Sequence, residues 1–376
     1  MDWQLVESDE ALRQVLEEGA GSEAVIVDTE FMRRNTFYPQ VALVQLCFAG
    51  SGSVSDTAWL IDPLGLEDTA PLADLLVDPN VVKVLHSASE DLEVFSRWLD
   101  VLPQPLFDTQ RAAALLDQGF GLGYSSVVKQ VCDIDLPKGE TTSDWLRRPL
   151  SASQCEYAAQ DVAWLLPVWR HMEQMCLQQG KSGWVLADCA DAIAAYTSPG
   201  NDYLKRFKTA WKLNPRQLAV LEAVCAWREQ TARRRDKPRG WIIDDQACMR
   251  IALTDPRSPG DLQNEVGLDA NAMRRNADQL LQLLATQRLI PDDELPLRLP
   301  GPLDSQQRSR LKKIKARARV IASELSTAPE ALLQGKDYEL LLREAAGEPV
   351  ESPRHWQGWR QDKVISPLRA VLAGAA

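Results

Sequence analysis

Residues 24–31 read AVIVDTEF. Ala24, Val25, Ile26 and Val27 are apolar and mostly β-branched, and the run turns acidic at Asp28 and Glu30. Such a pattern describes a buried strand whose end meets a site. A strand's period of two puts Asp28 and Glu30 on one face. Adjacent carboxylates repel unless a cation neutralises them, so a bound divalent ion is one reason to place them there. A strand that turns polar at the surface is the other, and it is the more ordinary one for an isolated Asp-x-Glu.

The neighbouring stretches build a sheet around this strand. Residues 41–48, VALVQLCF, form a second strand and 58–62, AWLID, a third, separated by the Gly/Ser turn AGSGSVSDT. Short turns favour antiparallel pairing. A helix near 70–77, a strand at 81–85, a helix from 88 to 99, a short strand at 106–107 and a helix from 109 follow. A three-strand meander followed by βαβα predicts a mixed sheet with helices on both faces. From 153 to about 179 the pattern is helical, with Ser153 and Glu156 spaced as a capping box and Pro167 positioned to break the helix.

The stretch 197–202, TSPGND, reads as a linker, and everything beyond it reads as helix. Asn214–Pro215 is an N-cap followed by an N1 proline, and the next helix aligns Leu218, Leu221, Cys225 and Arg228 on one face. A Pro/Gly-rich break at 291–302 precedes a last helical stretch containing KKIKARARV at 312–320. The expected organisation is α/β followed by all-α, in three parts: 1–200, 208–290 and 295–376.

Composition narrows the chemistry. Seven widely spaced cysteines, none in a CxxC, argue against both a disulfide framework and a zinc site. The three histidines, His86, His171 and His355, have no helical i,i+4 partner, so any metal must be held by carboxylates, as magnesium or manganese is. No Walker A loop, G-x-S-x-G elbow or GxGxxG fingerprint is present; the GKS at 180–182 has Met175 where the loop's first glycine belongs. The acidic N-terminus and the lack of a long apolar run predict a cytoplasmic protein without a membrane anchor. The net charge of −11 divides into −18 over residues 1–200 and +7 over 201–376. That asymmetry suits a carboxylate-rich metal site joined to a polyanion-binding module, and it also suits plain compositional drift between domains.

Two further acidic motifs complete the pattern. Asp91 lies in HSASEDLEVF, and Tyr157 and Asp161 lie four apart in YAAQD, on one helical face. Alone, Asp91 reads as a first-turn acid complementing a helix dipole, and the Tyr–Asp pair as an exposed helix face. In this order and at these spacings, VDTEF, HSASEDLEVF and YAAQD resemble the three motifs of the DEDD exonuclease superfamily in its tyrosine branch. PLFDTQRAA at 105–113 and SDWLRRPLS at 143–151 narrow the resemblance to the ribonuclease D group, over roughly residues 1–190. Residues 210–290 resemble an HRDC domain, and 300–376 a more divergent copy.

The resemblance implies a ribonuclease-H-like domain with a mixed sheet, followed by two helical HRDC-type domains. It implies a 3′→5′ exoribonuclease acting on RNA with a free 3′ end, tRNA precursors among its substrates, with two divalent cations, Mg²⁺ or Mn²⁺. Asp28, Glu30, Asp91 and Asp161 would be the metal ligands, and Tyr157 would orient the attacking water. Phe31 either stacks on the terminal base or packs at the strand end. Asp108 is expected to cap the helix at 109, and His86 to close a buried strand. Arg33, Arg34 and the clusters Lys205–Arg206, Arg233–Arg235 and Lys312–Arg319 either touch phosphate or are solvated. The rivals are a DNA 3′→5′ exonuclease, which uses the same carboxylates, and an inactive RNA-binding scaffold, which has no use for clustered like charges.

Overall fold

Val25, Ile26 and Val27 are completely buried, and the strand that carries them, β2 (Ala24–Met32), lies inside a six-stranded sheet. The computed structural model describes residues 2–50, 57–137, 139–197 and 203–374. Most of the Gly/Ser turn (51–56) and of the expected linker (198–202) lies outside these residues. Among the described residues the strand order is β1-β4-β3-β2-β5-β6. β3 (Gln40–Ala49) runs antiparallel to both β2 and β4 (Thr57–Ile61), as the short-turn argument requires. β5 (Val82–Leu85) pairs parallel with β2, and β6 (Leu106–Asp108) pairs parallel with β5. α2 (Ala70–Val77) leads from β4 into β5, and α3 (Ser89–Leu99) joins β5 to β6.

Two elements at the N-terminus escape the sequence pattern. β1 (Asp2–Val6) pairs parallel with β4 at the sheet edge, and α1 (Asp9–Glu18) follows it. An edge strand leaves most of its side chains in water, so DWQLV needs no apolar run to be a strand.

Beyond the sheet come α4 (Thr109–Leu115), α5 (Tyr124–Cys132), α6 (Ala152–Ala163), α7 (Leu165–Gln178) and α8 (Ser182–Thr197). The helical pattern after 150 breaks at Trp164, three residues before Pro167. The capping box is not Ser153 with Glu156. Ser151 occupies the N-cap in extended conformation, and its side chain exchanges hydrogen bonds with Gln154. Both pairs share the same spacing; Ser153 is already helical and cannot supply the N-cap geometry.

The chain forms two compact units, Met1–Met32 with Gln40–Ser198 and Asp304–Ala376, and Arg33–Pro39 with Pro199–Leu303. In the first, the last helices, α9 (Ser305–Glu324), α10 (Pro329–Leu332), α11 (Gly335–Ala345) and α12 (Ser366–Leu372), are fastened to α4 and α8 by buried polar contacts. Lys181 donates to the carbonyls of Leu115 and Ser326, and Arg360 grips Asp188 with both nitrogens of its fork. Trp184 stacks on Trp359 at 4.2 Å.

The second unit is helical: α13 (Pro215–Arg235), α14 (Arg239–Ile242), α15 (Asp245–Thr254), α16 (Pro259–Asn264) and α17 (Ala270–Arg288). Leu218, Leu221, Val224 and Cys225 form its core, and Asn214 caps α13 in a capping box with Gln217. Arg233 and Arg235 are committed to the fold here. Arg233 pairs with Glu229 at 2.9 Å and lies over the Phe37 ring; Arg235 donates to Asn276. The long–short–medium sequence of α13, α14 and α15 (21, 4 and 10 residues) recurs in α9, α10 and α11 (20, 4 and 11), where Asp304 and Gln307 form the matching capping box. No helix among the described residues is long and apolar enough to cross a membrane.

Candidate active site

Polar character begins on β2 where its burial ends. Asp28 stands opposite Gln45 of β3, and Glu30 opposite Leu43. After Glu30 the register shifts, so that Phe31 faces Val41 and Ala42 is left over as a bulge. Bulges re-aim strand ends and recur next to active sites. α6 brings Asp161 to the same place: oxygens of Asp28, Glu30 and Asp161 all lie within 4.8 Å of one another.

Asp91, in the first turn of α3, does not join this trio. It is buried, and its Oδ1 accepts a 2.6 Å hydrogen bond from Thr29. Thr29 leaves the opposite face of β2 from Asp28 and Glu30, so one strand presents all three motif contacts within three residues. Asp108 steadies the approach to α3. It caps α4 by accepting from the amides of Gln110 and Arg111, as its position before residue 109 predicted, and also accepts from those of Ser87 and Ala88. His86 is held between Thr109 Oγ1 and the Leu122 carbonyl, away from any ligand role.

The electrostatics follow from crowding four acids around a half-buried strand end. Burial, reinforced by Asp161 and Asp91, pushes Glu30 up to about 9. Asp28 is raised well above the usual carboxylate range, by burial first and then by Asp161, Asp91 and Glu30. Burial raises Asp91 and Asp161 to about 7 each, the Thr29 hydrogen bond opposing it at Asp91. The three clustered acids therefore offer hard oxygen donors whose mutual repulsion a divalent cation relieves, and the donor set fits such an ion.

Tyr157 precedes Asp161 by one helical turn on α6. Burial and the charges of Asp161, Glu30 and Asp28 raise its hydroxyl pKa, so it stays neutral. The ring is wedged from behind. A Cβ added to Gly139 would come within 2.7 Å of Tyr157 Cδ2, and the Trp145 ring lies 6.1 Å away. A cleft of about 830 Å³ opens beside Tyr157 and Asp161, lined by Tyr124, Lys129, Gln130 and Gln160 among others. Phe31 is half-exposed at the end of β2, past the bulge.

One residue of this region carried no role in the sequence reading. Arg148 forks onto Asp62, with Nη2–Oδ1 at 2.8 Å, and donates to the carbonyls of Ala42 and Trp145 at 2.6 and 2.7 Å. It thus ties the bulge opposite Glu30 to the segment that starts α6. Arg148 lies in SDWLRRPLS, a stretch with no local pattern that marks it as a tie. An arginine's carbonyl and carboxylate partners, 106 and 86 residues away, leave no local signal.

Comparison with known proteins agrees with the fold. A family model described as a 3′-5′ exonuclease matches residues 3–177, and an HRDC domain model matches 217–284. The chain is 41% identical to ribonuclease D of Pseudomonas paraeruginosa over 375 residues, covering 99% of this chain and 98% of that one. It is 33% identical to ribonuclease D of Escherichia coli, covering 99% of both. The crystal structure of E. coli RNase D, described as an exoribonuclease involved in structured RNA processing, superposes with a TM-score of 0.89 at 33% identity, covering 100% of this chain and 99% of that one. With a 3′-5′ exonuclease domain, an HRDC domain and full-length likeness to these enzymes, the chain belongs to the ribonuclease D family of 3′→5′ exoribonucleases.

Proposed function

We propose that this exoribonuclease removes nucleotides one at a time from a free 3′ end of RNA, by a two-metal-ion mechanism, and that tRNA precursors and other small structured RNAs in the cytoplasm are its substrates. The observation that carries the reading is the convergence of Asp28, Glu30 and Asp161 within 4.8 Å. Asp28, Glu30 and Asp161 would hold divalent cations, with Asp91 supporting them from its place on Thr29. Bound there, Mg²⁺ or Mn²⁺ supplies Lewis acidity and neutralises charge at the scissile phosphate.

The chain's own groups do the rest. Tyr157 keeps its proton, so it acts by hydrogen-bonding and orienting the attacking water rather than as a free base. The water oxygen bonds to phosphorus and the P–O3′ bond breaks, leaving a 5′-monophosphate and a new 3′-hydroxyl. Phe31, half-exposed beside Glu30, stacks on the terminal base. The helical half at 201–376, which holds the HRDC domain at 217–284 and carries a net charge of +7, would anchor RNA.

Side-by-side digestion of 3′-labelled RNA and DNA, with EDTA and then added Mg²⁺ or Mn²⁺, tests the reading. Release of nucleoside 5′-monophosphates from RNA, stopped by EDTA and restored by either metal, is the expected result. Activity that survives exhaustive chelation, or cleavage of circular RNA, refutes it.

A further inference from the structure

Gln45 is fully buried in β3, directly opposite Asp28 in the β2–β3 ladder. Its partner on the other side, in β4, is the apolar Leu60. Residues facing each other in an antiparallel pair project to the same side, with Cβ atoms about 4.5–5.5 Å apart. Gln45 therefore delivers a carboxamide to the face that carries Asp28 and Glu30. Neither its Oε1 nor its Nε2 has a hydrogen-bond partner among the described residues. Buried amides are almost always paired, because stripping one of water without replacement is costly. Leucine would fill the same volume at no such cost. A glutamine at this position needs a use.

We infer that Gln45 is a positioning residue of the metal site. When a cation draws the Asp28 carboxylate into place, the NH₂ group of Gln45 donates to it and fixes the orientation in which Asp28 faces that ion; the carbonyl oxygen is left to accept from water. The inference rests on the metal-site reading above. Partners one step behind a ligand hold its rotamer, and losing one typically lowers metal affinity about 10–100-fold.

The test separates this role from packing because the two predict opposite signs. Gln45→Leu removes a buried unpaired amide, so the metal-free protein should melt at the same temperature as the wild type or higher. Mn²⁺ affinity, measured by calorimetry without RNA, should fall about 10–100-fold, and single-turnover hydrolysis should need correspondingly more metal. Gln45→Met, close in volume, should repeat the pattern and stands in if the leucine variant misfolds. Asp28→Asn is measured alongside. If Asp28→Asn abolishes Mn²⁺ binding while both Gln45 variants bind as tightly as the wild type, Gln45 has no such role. A melting temperature that drops together with affinity makes Gln45 a packing residue and overturns the inference. If Asp28→Asn itself binds Mn²⁺ normally, the metal-site reading falls and takes this inference with it.

Discussion

Arg360→Met should uncouple the C-terminal helices from α8. Arg360 and Asp188 are each about 7% exposed, and the guanidinium meets both carboxylate oxygens, Nη2–Oδ2 at 2.6 Å. The same guanidinium also donates to the carbonyls of Leu332 at 3.0 Å and Ala331 at 2.8 Å. Methionine keeps most of the volume but strands a buried carboxylate, with only the Trp359 indole at 3.4 Å left to it among the described residues, and two carbonyls. Breaking a buried pair from one side costs about 3–5 kcal/mol. Replacing both partners, as Asp188→Leu with Arg360→Met, should recover most of that loss, because the desolvation penalty goes with the charges. Urea unfolding followed by tryptophan fluorescence reads the change directly, since Trp184 and Trp359 stack beside the pair. A single-variant loss below about 1 kcal/mol, the range of an exposed pair, or a double variant no more stable than Arg360→Met, would refute the reasoning. The same contacts predict that truncation after residue 303 destabilises the exonuclease unit rather than merely removing an RNA anchor.

Four other outcomes follow from the active-site geometry. Tyr157→Phe should lower the single-turnover rate about 10²–10⁴-fold with RNA affinity and metal requirement unchanged; a wild-type rate would remove Tyr157 from the chemistry. Gly139→Ala pushes a methyl into the Tyr157 ring and should slow hydrolysis, up to about 10²-fold for a displacement near 1 Å; an unaltered rate would show that the loop yields instead. The folded, metal-free protein holds a proton on Glu30 up to about pH 9 that the unfolded chain releases near 4.5, so this group's contribution to stability is complete below 4.5 and is lost as pH rises through 9. Metal-free wild type should thus lose melting temperature relative to Glu30→Gln between pH 5.5 and 8.5, and added Mg²⁺ should close the gap; a gap that narrows with pH in EDTA contradicts the sign. Thr29→Val removes the 2.6 Å bond to Asp91 and should raise the metal concentration needed for half-maximal rate, while Thr29→Ser restores it.

Much of this enzyme was legible in its sequence because the relevant forces are local. The run Ala24–Val27 is apolar enough to be a strand wherever it lies, period two places Asp28 and Glu30 on one face, and period 3.6 does the same for Tyr157 and Asp161. Asp108 and Asn214 announced their helices because capping is settled within three residues. Ambiguity began where one local pattern fitted twice, as with Ser151–Gln154 and Ser153–Glu156, and tertiary packing chose between them. It also began where burial is low, as in the edge strand Asp2–Val6. Only the folded chain could show that Asp91 hangs from Thr29, that Arg148 spans from Asp62 to the bulge at Ala42, that Gln45 lies behind Asp28 with no partner among the described residues, and that the last helices are bound by Asp188 and Arg360. Contacts made across 62 to 172 residues leave no periodicity to read, since each depends on where the sheet register and the helix packing finally bring two distant side chains.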